Sequence, residues 1–105
     1  MPKQTVIVQF QNEGDSVDVD WLFDFHEVLQ DLLSKHKAGK LDGNDFGKGT
    51  INMYIVTNSF RQAYDLLLTS LKIYRLDEKA IIVKRHKKNQ YTILWPSDYK
   101  GEFSA

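Results

Sequence analysis

The chain predicts an α+β sandwich, with two helices on one face of an antiparallel sheet in the order β-α-β-β-α-β-β. Two stretches, near residues 18–38 and 59–74, repeat apolar side chains at three- and four-residue steps, the helical period. Runs at 5–10, 50–57, 80–84 and 91–95 are β-branched or aromatic and suit strands. Gly, Asn, Asp and Ser punctuate the intervals between them.

Residues 5–10 (TVIVQF) form the first predicted strand, with Val6, Val8 and Phe10 on one side and Ile7 and Gln9 on the other. A polar loop follows over 12–18. The first helix is predicted from about Asp18 to Ala38, with Trp21, Leu22, Phe25, Val28, Leu29, Leu32 and Leu33 along one face. Asp18, Asp20 and Asp24 near its start and Lys35, His36 and Lys37 in its last turn complement the helix dipole. Gly39 is the expected left-handed residue that ends it. A short polar strand at 40–46, a turn at 47–49 and a strand at 50–57 make a hairpin. Ile51, Met53 and Ile55 of its second strand alternate with Asn52, Tyr54 and Val56.

Ser59 with Gln62 matches a capping box for the second helix, carried by Phe60, Ala63, Tyr64, Leu67, Leu71 and Tyr74. Residues 80–84 (AIIVK) and 91–95 (YTILW) are the last two strands, joined through 85–90, and Pro96 ends the final one. This is the ferredoxin-like split βαβ plan with an extra hairpin strand. The uncovered sheet face is expected to carry Ile7, Gln9, Asn52, Tyr54 and Val56, a surface apolar enough for a second copy of the chain to cover as a homodimer.

At 105 residues the expectation is a single domain over 1–105, with an ordered core of about 4–96 and a polar tail at 97–105. A content of 42% hydrophobic and 12% aromatic residues is too rich in core material for a disordered chain. The absence of Cys excludes a disulfide scaffold, thiolate catalysis and Cys-based metal centres. No apolar run reaches the roughly 20 residues of a membrane span. Residues 1–10 carry one Lys and too short an apolar stretch for a secretory signal, so the expected setting is cytoplasmic.

The 14 basic and 14 acidic side chains cancel, which argues against a general nucleic-acid binder, but they are unevenly placed. Glu13, Asp15, Asp18, Asp20, Asp24, Glu27 and Asp31 follow one another with no Lys or Arg among them. Lys72, Arg75, Lys79, Lys84, Arg85, Lys87 and Lys88 are opposed only by Asp77 and Glu78. Asp18, Asp24, Glu27 and Asp31 therefore suggest a negative stripe for a basic protein partner, where charge complementarity speeds encounter. The hairpin segment Lys84, Arg85, Lys87 and Lys88, with Tyr91 and Trp95 after it, is the alternative: an RNA-contacting module. Against it stands a plain charged hairpin tip, with Tyr91, Ile93 and Trp95 turned together onto the helices.

Catalytic and metal motifs fail on spacing. Three residues separate Gly43 from Gly47-Lys48, and Gly49 intervenes before Thr50, so no Walker loop forms. In a calcium-loop register from Asp42, Phe46 takes a ligand position and Met53 stands where the bidentate Glu belongs. His26-Glu27 lacks the second His of a zinc-protease helix, Gln30 standing in its place. Ser16, Ser34, Ser59 and Ser70 sit in no elbow or triad context. The expectation is no enzyme, no cofactor and no metal.

The run Asp42-Gly43-x-Asp45-Phe46-Gly47-x-Gly49-x-x-Asn52-x-x-Ile55-x-Thr57, with the closing segment Tyr91-Thr92-Ile93-Leu94-Trp95-Pro96, resembles small uncharacterised bacterial α/β proteins over about residues 39–96. That resemblance implies the same fold and a bacterial cytosolic setting. In size and lack of catalytic equipment the chain also resembles single-domain immunity proteins to bacterial toxins. Within the shared hairpin, Asp42, Asp45, Asn52 and Thr57, with Tyr54, are the candidate small-ligand residues. The preferred reading of them is a hydrogen-bonded network that holds a Gly-rich hairpin in shape.

Overall fold

The computed structural model describes residues 4–11, 20–47, 50–76, 80–87 and 90–96. In chain order these form β1 (Gln4–Gln11), α1 (Asp20–Lys35), β2 (Lys40–Gly47), β3 (Thr50–Thr57), α2 (Phe60–Ile73), β4 (Ala80–Lys87) and β5 (Gln90–Trp95). The sheet order is β2-β3-β1-β4-β5, every neighbouring pair antiparallel. Two crossover helices interleave β1 and β3, and the fifth strand extends β4 by a hairpin: the predicted ferredoxin-like α+β plan. The loop at 12–18, the helix start at Asp18, the end of the 47–49 turn, Lys88 and the tail at 97–105 lie outside the described residues.

Alternation in the strands and the 3.6-residue period in the helices turn the same apolar set inward. Val6, Val8, Phe10, Ile51, Met53 and Ile55 meet Phe25, Leu29, Leu33, Ala63, Leu67 and Leu71 in the main core. A smaller cluster of Ile7, Ile81 and Val83 lies on the other face, with Tyr54, Tyr91 and Ile93 packed against it. The expectation of an open apolar face is corrected here. Ile7 is 0% exposed, Gln9 4% and Asn52 1%, while Tyr54 and Val56 are half-buried. Among the described residues, the centre of this face is buried and the side chains packed around it are half-buried.

α1 ends otherwise than predicted, whereas α2 ends at Ile73 with its cap at Tyr74, where the sequence places it. Lys37, not Gly39, takes the left-handed conformation after α1 (φ 51), and Arg75 does so after α2 (φ 57). The Lys37 and Ala38 amides donate to the carbonyls of Ser34 and Leu33 at 3.1 and 2.9 Å, and those of Arg75 and Leu76 to Lys72 and Leu71 at 3.1 and 2.8 Å. Each pair is a Schellman motif, closed by an apolar residue beyond the cap: Ala38 is buried and Leu76 packs on the main core. A non-glycine residue at such a φ costs about 1–2 kcal/mol. Lys37→Gly and Arg75→Gly should therefore each raise stability by about 0.5–1 kcal/mol, since glycine's greater unfolded freedom returns part of the gain. Thermal melts check this: each variant should melt a few degrees higher, and Lys37→Ala should not.

The capping box also fails to form. Ser59 makes no side-chain cap hydrogen bond; its amide donates instead to the Thr57 hydroxyl at 2.8 Å. That hydroxyl donates in turn to the Ala38 carbonyl, so Thr57 ties the end of α1, the end of β3 and the start of α2 together. β4 runs three residues past the predicted Lys84, because the ladder continues to Lys87 opposite Gln90 despite the charged sequence.

Candidate functional site

Burial of Phe25, Leu29 and Leu33 fixes which side of α1 faces water. At about 100° per residue, Phe23, Glu27 and Asp31 follow one another at four-residue steps on the opposite side, with Asp24 beside them. All four are exposed, Phe23 at 65%. The helix is held in place by Gln30, whose Oε1 accepts the Leu41 amide of β2 at 3.1 Å. Asp18, the fourth acid of the predicted stripe, lies outside the described residues. Sequence reading misses Phe23, because it falls off the apolar three- and four-residue pattern; that departure is itself the available signal.

The described candidates of the Gly-rich hairpin stand in different environments. Asp42 is exposed where the β2–β3 register shifts between Leu41 and Asn44, beside Gly43 at φ 106. Asp45 pairs with Asn52 in register, and Asn52 pairs with Gln9 of β1. The Gln9 amide nitrogen donates to the Asn52 side-chain oxygen at 2.9 Å, with both residues buried. Tyr54 is half-buried on the same face as Asn52, against the Ile7 cluster. Asn52 and Thr57 are thus committed to internal hydrogen bonds.

Buried polar pairs are costly when halved. Asn52→Leu should lose about 1–3 kcal/mol, because the Gln9 amide keeps its burial and loses an acceptor. Adding Gln9→Leu should recover most of that loss, and urea unfolding of the four proteins in this cycle measures it.

Alternation divides the basic hairpin between two faces. The Lys84 ammonium lies 4.5 Å from the centre of the Phe60 ring, on the helix side. Arg85, next along β4, pairs with Thr5 and Tyr91 and is exposed. The His86 ring nitrogen shares a hydrogen bond with the Thr92 hydroxyl, and Lys87 closes the ladder opposite Gln90. Tyr91 and Ile93 pack on the Ile7 cluster, whereas Leu94 and Trp95 pack on the main core. The expectation that Tyr91, Ile93 and Trp95 share a face is therefore overturned. A register shift between Ile82 and Val83, opposite Trp95 and Ile93, breaks the two-residue period. Lys72 covers the Trp95 ring at 5.8 Å.

Shallow depressions flank α2. One of about 290 Å³ lies between Phe60, Tyr64 and Leu94. There burial, and then the neighbouring Asp65 carboxylate, raise the Tyr64 phenol above its ordinary pKa. Among the described residues no group of three His, Asp or Glu side chains could hold a metal, and no helix is long and apolar enough to cross a membrane. No known protein family, curated protein or solved structure matches this chain.

Proposed function

We propose that this domain is a non-enzymatic binding protein of the bacterial cytoplasm, an immunity or regulatory factor that docks a basic protein partner on the outer face of α1. The observation that carries the reading is Phe23, a large apolar side chain 65% exposed on a helix face shared with the exposed carboxylates Asp24, Glu27 and Asp31. Protein interfaces concentrate binding energy in a few desolvated anchors, aromatics prominent among them, within a polar rim. The carboxylates suit the rim: they steer a basic surface in and repel nucleic acid. The hydrogen bond from Leu41 to Gln30 supports a preorganised face with little ordering cost.

The experiment uses the chain as bait in extracts of its native host, followed by kinetics on the captured protein. Asp24→Asn/Glu27→Gln/Asp31→Asn should slow association about 10- to 100-fold at low salt and flatten its salt dependence. Phe23→Ala should leave the on-rate nearly unchanged and shorten the residence time at least tenfold, the cost of a lost anchor. A partner retained equally by all three baits would overturn the assignment.

A further inference from the structure

The strand directions bring basic residues from four segments to one end of the molecule. Lys40 opposite Val56, Val56 opposite Thr5 and Thr5 opposite Arg85 set the start of β2, the end of β3, the start of β1 and the end of β4 side by side. α1 ends there with Lys35, His36 and Lys37, and α2 begins there with Arg61 in its first turn.

Contacts join these segments. A depression of about 330 Å³ is lined by Ser34, Lys37, Lys40 and Asn58 among others, and a second brings His36 to Ser59, Arg61 and Asp65. Lys84 over the Phe60 ring continues the rim to β4. Lys35, His36, Lys37, Lys40, Arg61 and Arg85 are all exposed. Asp65 is the only carboxylate among the residues lining the two depressions. Among the described residues, a chain of zero net charge thus gathers exposed basic side chains from four segments at one end.

We infer that this end binds the phosphate backbone of single-stranded nucleic acid. Phosphate polymers bind through charge alone, by release of condensed counterions, and need no apolar anchor. A membrane surface rewards apolar insertion as well as charge. The exposed large apolar side chains among the described residues, Phe23 and Ile73, lie instead in the second turn of α1 and at the end of α2, at the opposite end. The rim also bends. From Lys40 on β2 to Arg85 on β4 it crosses three strand spacings, ~14 Å, while Lys37 and Arg61 belong to the helix layer above the sheet. A flexible single strand follows such a rim, whereas a duplex, stiff over tens of nanometres, touches only part of it. No exposed aromatic is described at this end, so binding is to the backbone and indifferent to base sequence.

The test is fluorescence anisotropy of the full chain with a short labelled single-stranded RNA of mixed sequence. Binding at low salt with a dissociation constant of about 10⁻⁴–10⁻⁶ M is expected. The slope of log K against log salt should be about −3, for four or five phosphates at ~0.7 each. Lys37→Gln/Lys40→Gln should reduce that slope by about 1.4, and Arg61→Gln/Arg85→Gln should do the same from other elements. The α1 triple variant above should bind RNA at least as tightly as the wild type, which separates this surface from the protein-docking face. Four results would overturn the inference: no binding at low salt, equal binding to duplex, equal competition by polyglutamate or anionic vesicles, or binding unmoved by both double variants with unaltered melting curves.

Discussion

Replacing Phe25 with alanine is expected to remove about 3–5 kcal/mol of stability, a large share of the 5–15 kcal/mol that a domain usually has. Phe25 is wholly buried, and its ring meets two others edge to face: Phe10 near the end of β1, at 5.9 Å and 87°, and Tyr74 at the end of α2, at 5.9 Å and 86°. One side chain therefore joins both helices to the central strand of the sheet. Alanine forfeits the buried ring area and both aromatic pairs, each worth about 0.5–1.5 kcal/mol beyond area, and leaves a cavity that the strand below cannot close. Phe25→Leu keeps most of the volume and should recover more than half of the loss. Urea unfolding should show the midpoint falling in that order at constant slope. A Phe25→Ala loss below about 1 kcal/mol would mean that the three-ring cluster is not where the helices are anchored.

The elements of this fold are legible in the amino-acid sequence because their periods are strong. Phe25, Leu29 and Leu33 recur at the spacing of a helix, and Ile51, Met53 and Ile55 at that of a half-buried strand. What escapes such a reading is set by register and backbone geometry. The turn of Lys37 and Arg75 into the left-handed region depends on amide bonds back into the helix and on the burial of the residue that follows. The glycine two positions beyond Lys37 is therefore a misleading marker of the helix end. The bulge opposite Ile82 and Val83 sends Ile93 and Trp95 to different faces, and nothing in a run of five β-formers signals it. The Gln9–Asn52 bond joins two strands through a pairing that one sequence does not display.

The candidate surfaces divide in the same way. The acidic stripe of α1 is local, spaced at three and four residues, and is legible directly. The basic end draws on residues 35–40, 61, 84 and 85, of which only the last two belong to a conspicuous run. Charge patterning along a chain detects the first kind of surface and is blind to the second.

Gly39→Ala is the other substitution with a large expected cost, about 2–6 kcal/mol, for two reasons that can be separated. Gly39 has φ 151, a backbone conformation that side-chain-bearing L residues rarely adopt, and forcing alanine into it costs about 1–3 kcal/mol. A Cβ there would also lie 2.6 Å from the Val56 carbonyl oxygen and 3.1 Å from the Thr57 Cβ. The first of these is backbone in a paired strand, so no side-chain rotation relieves the clash, and overpacking of this kind adds about 1–3 kcal/mol. The displaced segment is the one in which Thr57 bonds the Ala38 carbonyl and the Ser59 amide, so a shift loosens the junction of α1, β3 and α2 together. Gly43 supplies the control. Its φ of 106 is equally closed to alanine, but nothing lies within 4 Å of its would-be Cβ. Gly43→Ala should lose only the conformational share, about 1–3 kcal/mol. Chemical denaturation should therefore place Gly39→Ala at least about 1 kcal/mol below Gly43→Ala. Equal losses would show that the approach of Gly39 to β3 is not close enough to matter, and that its conformation alone requires glycine.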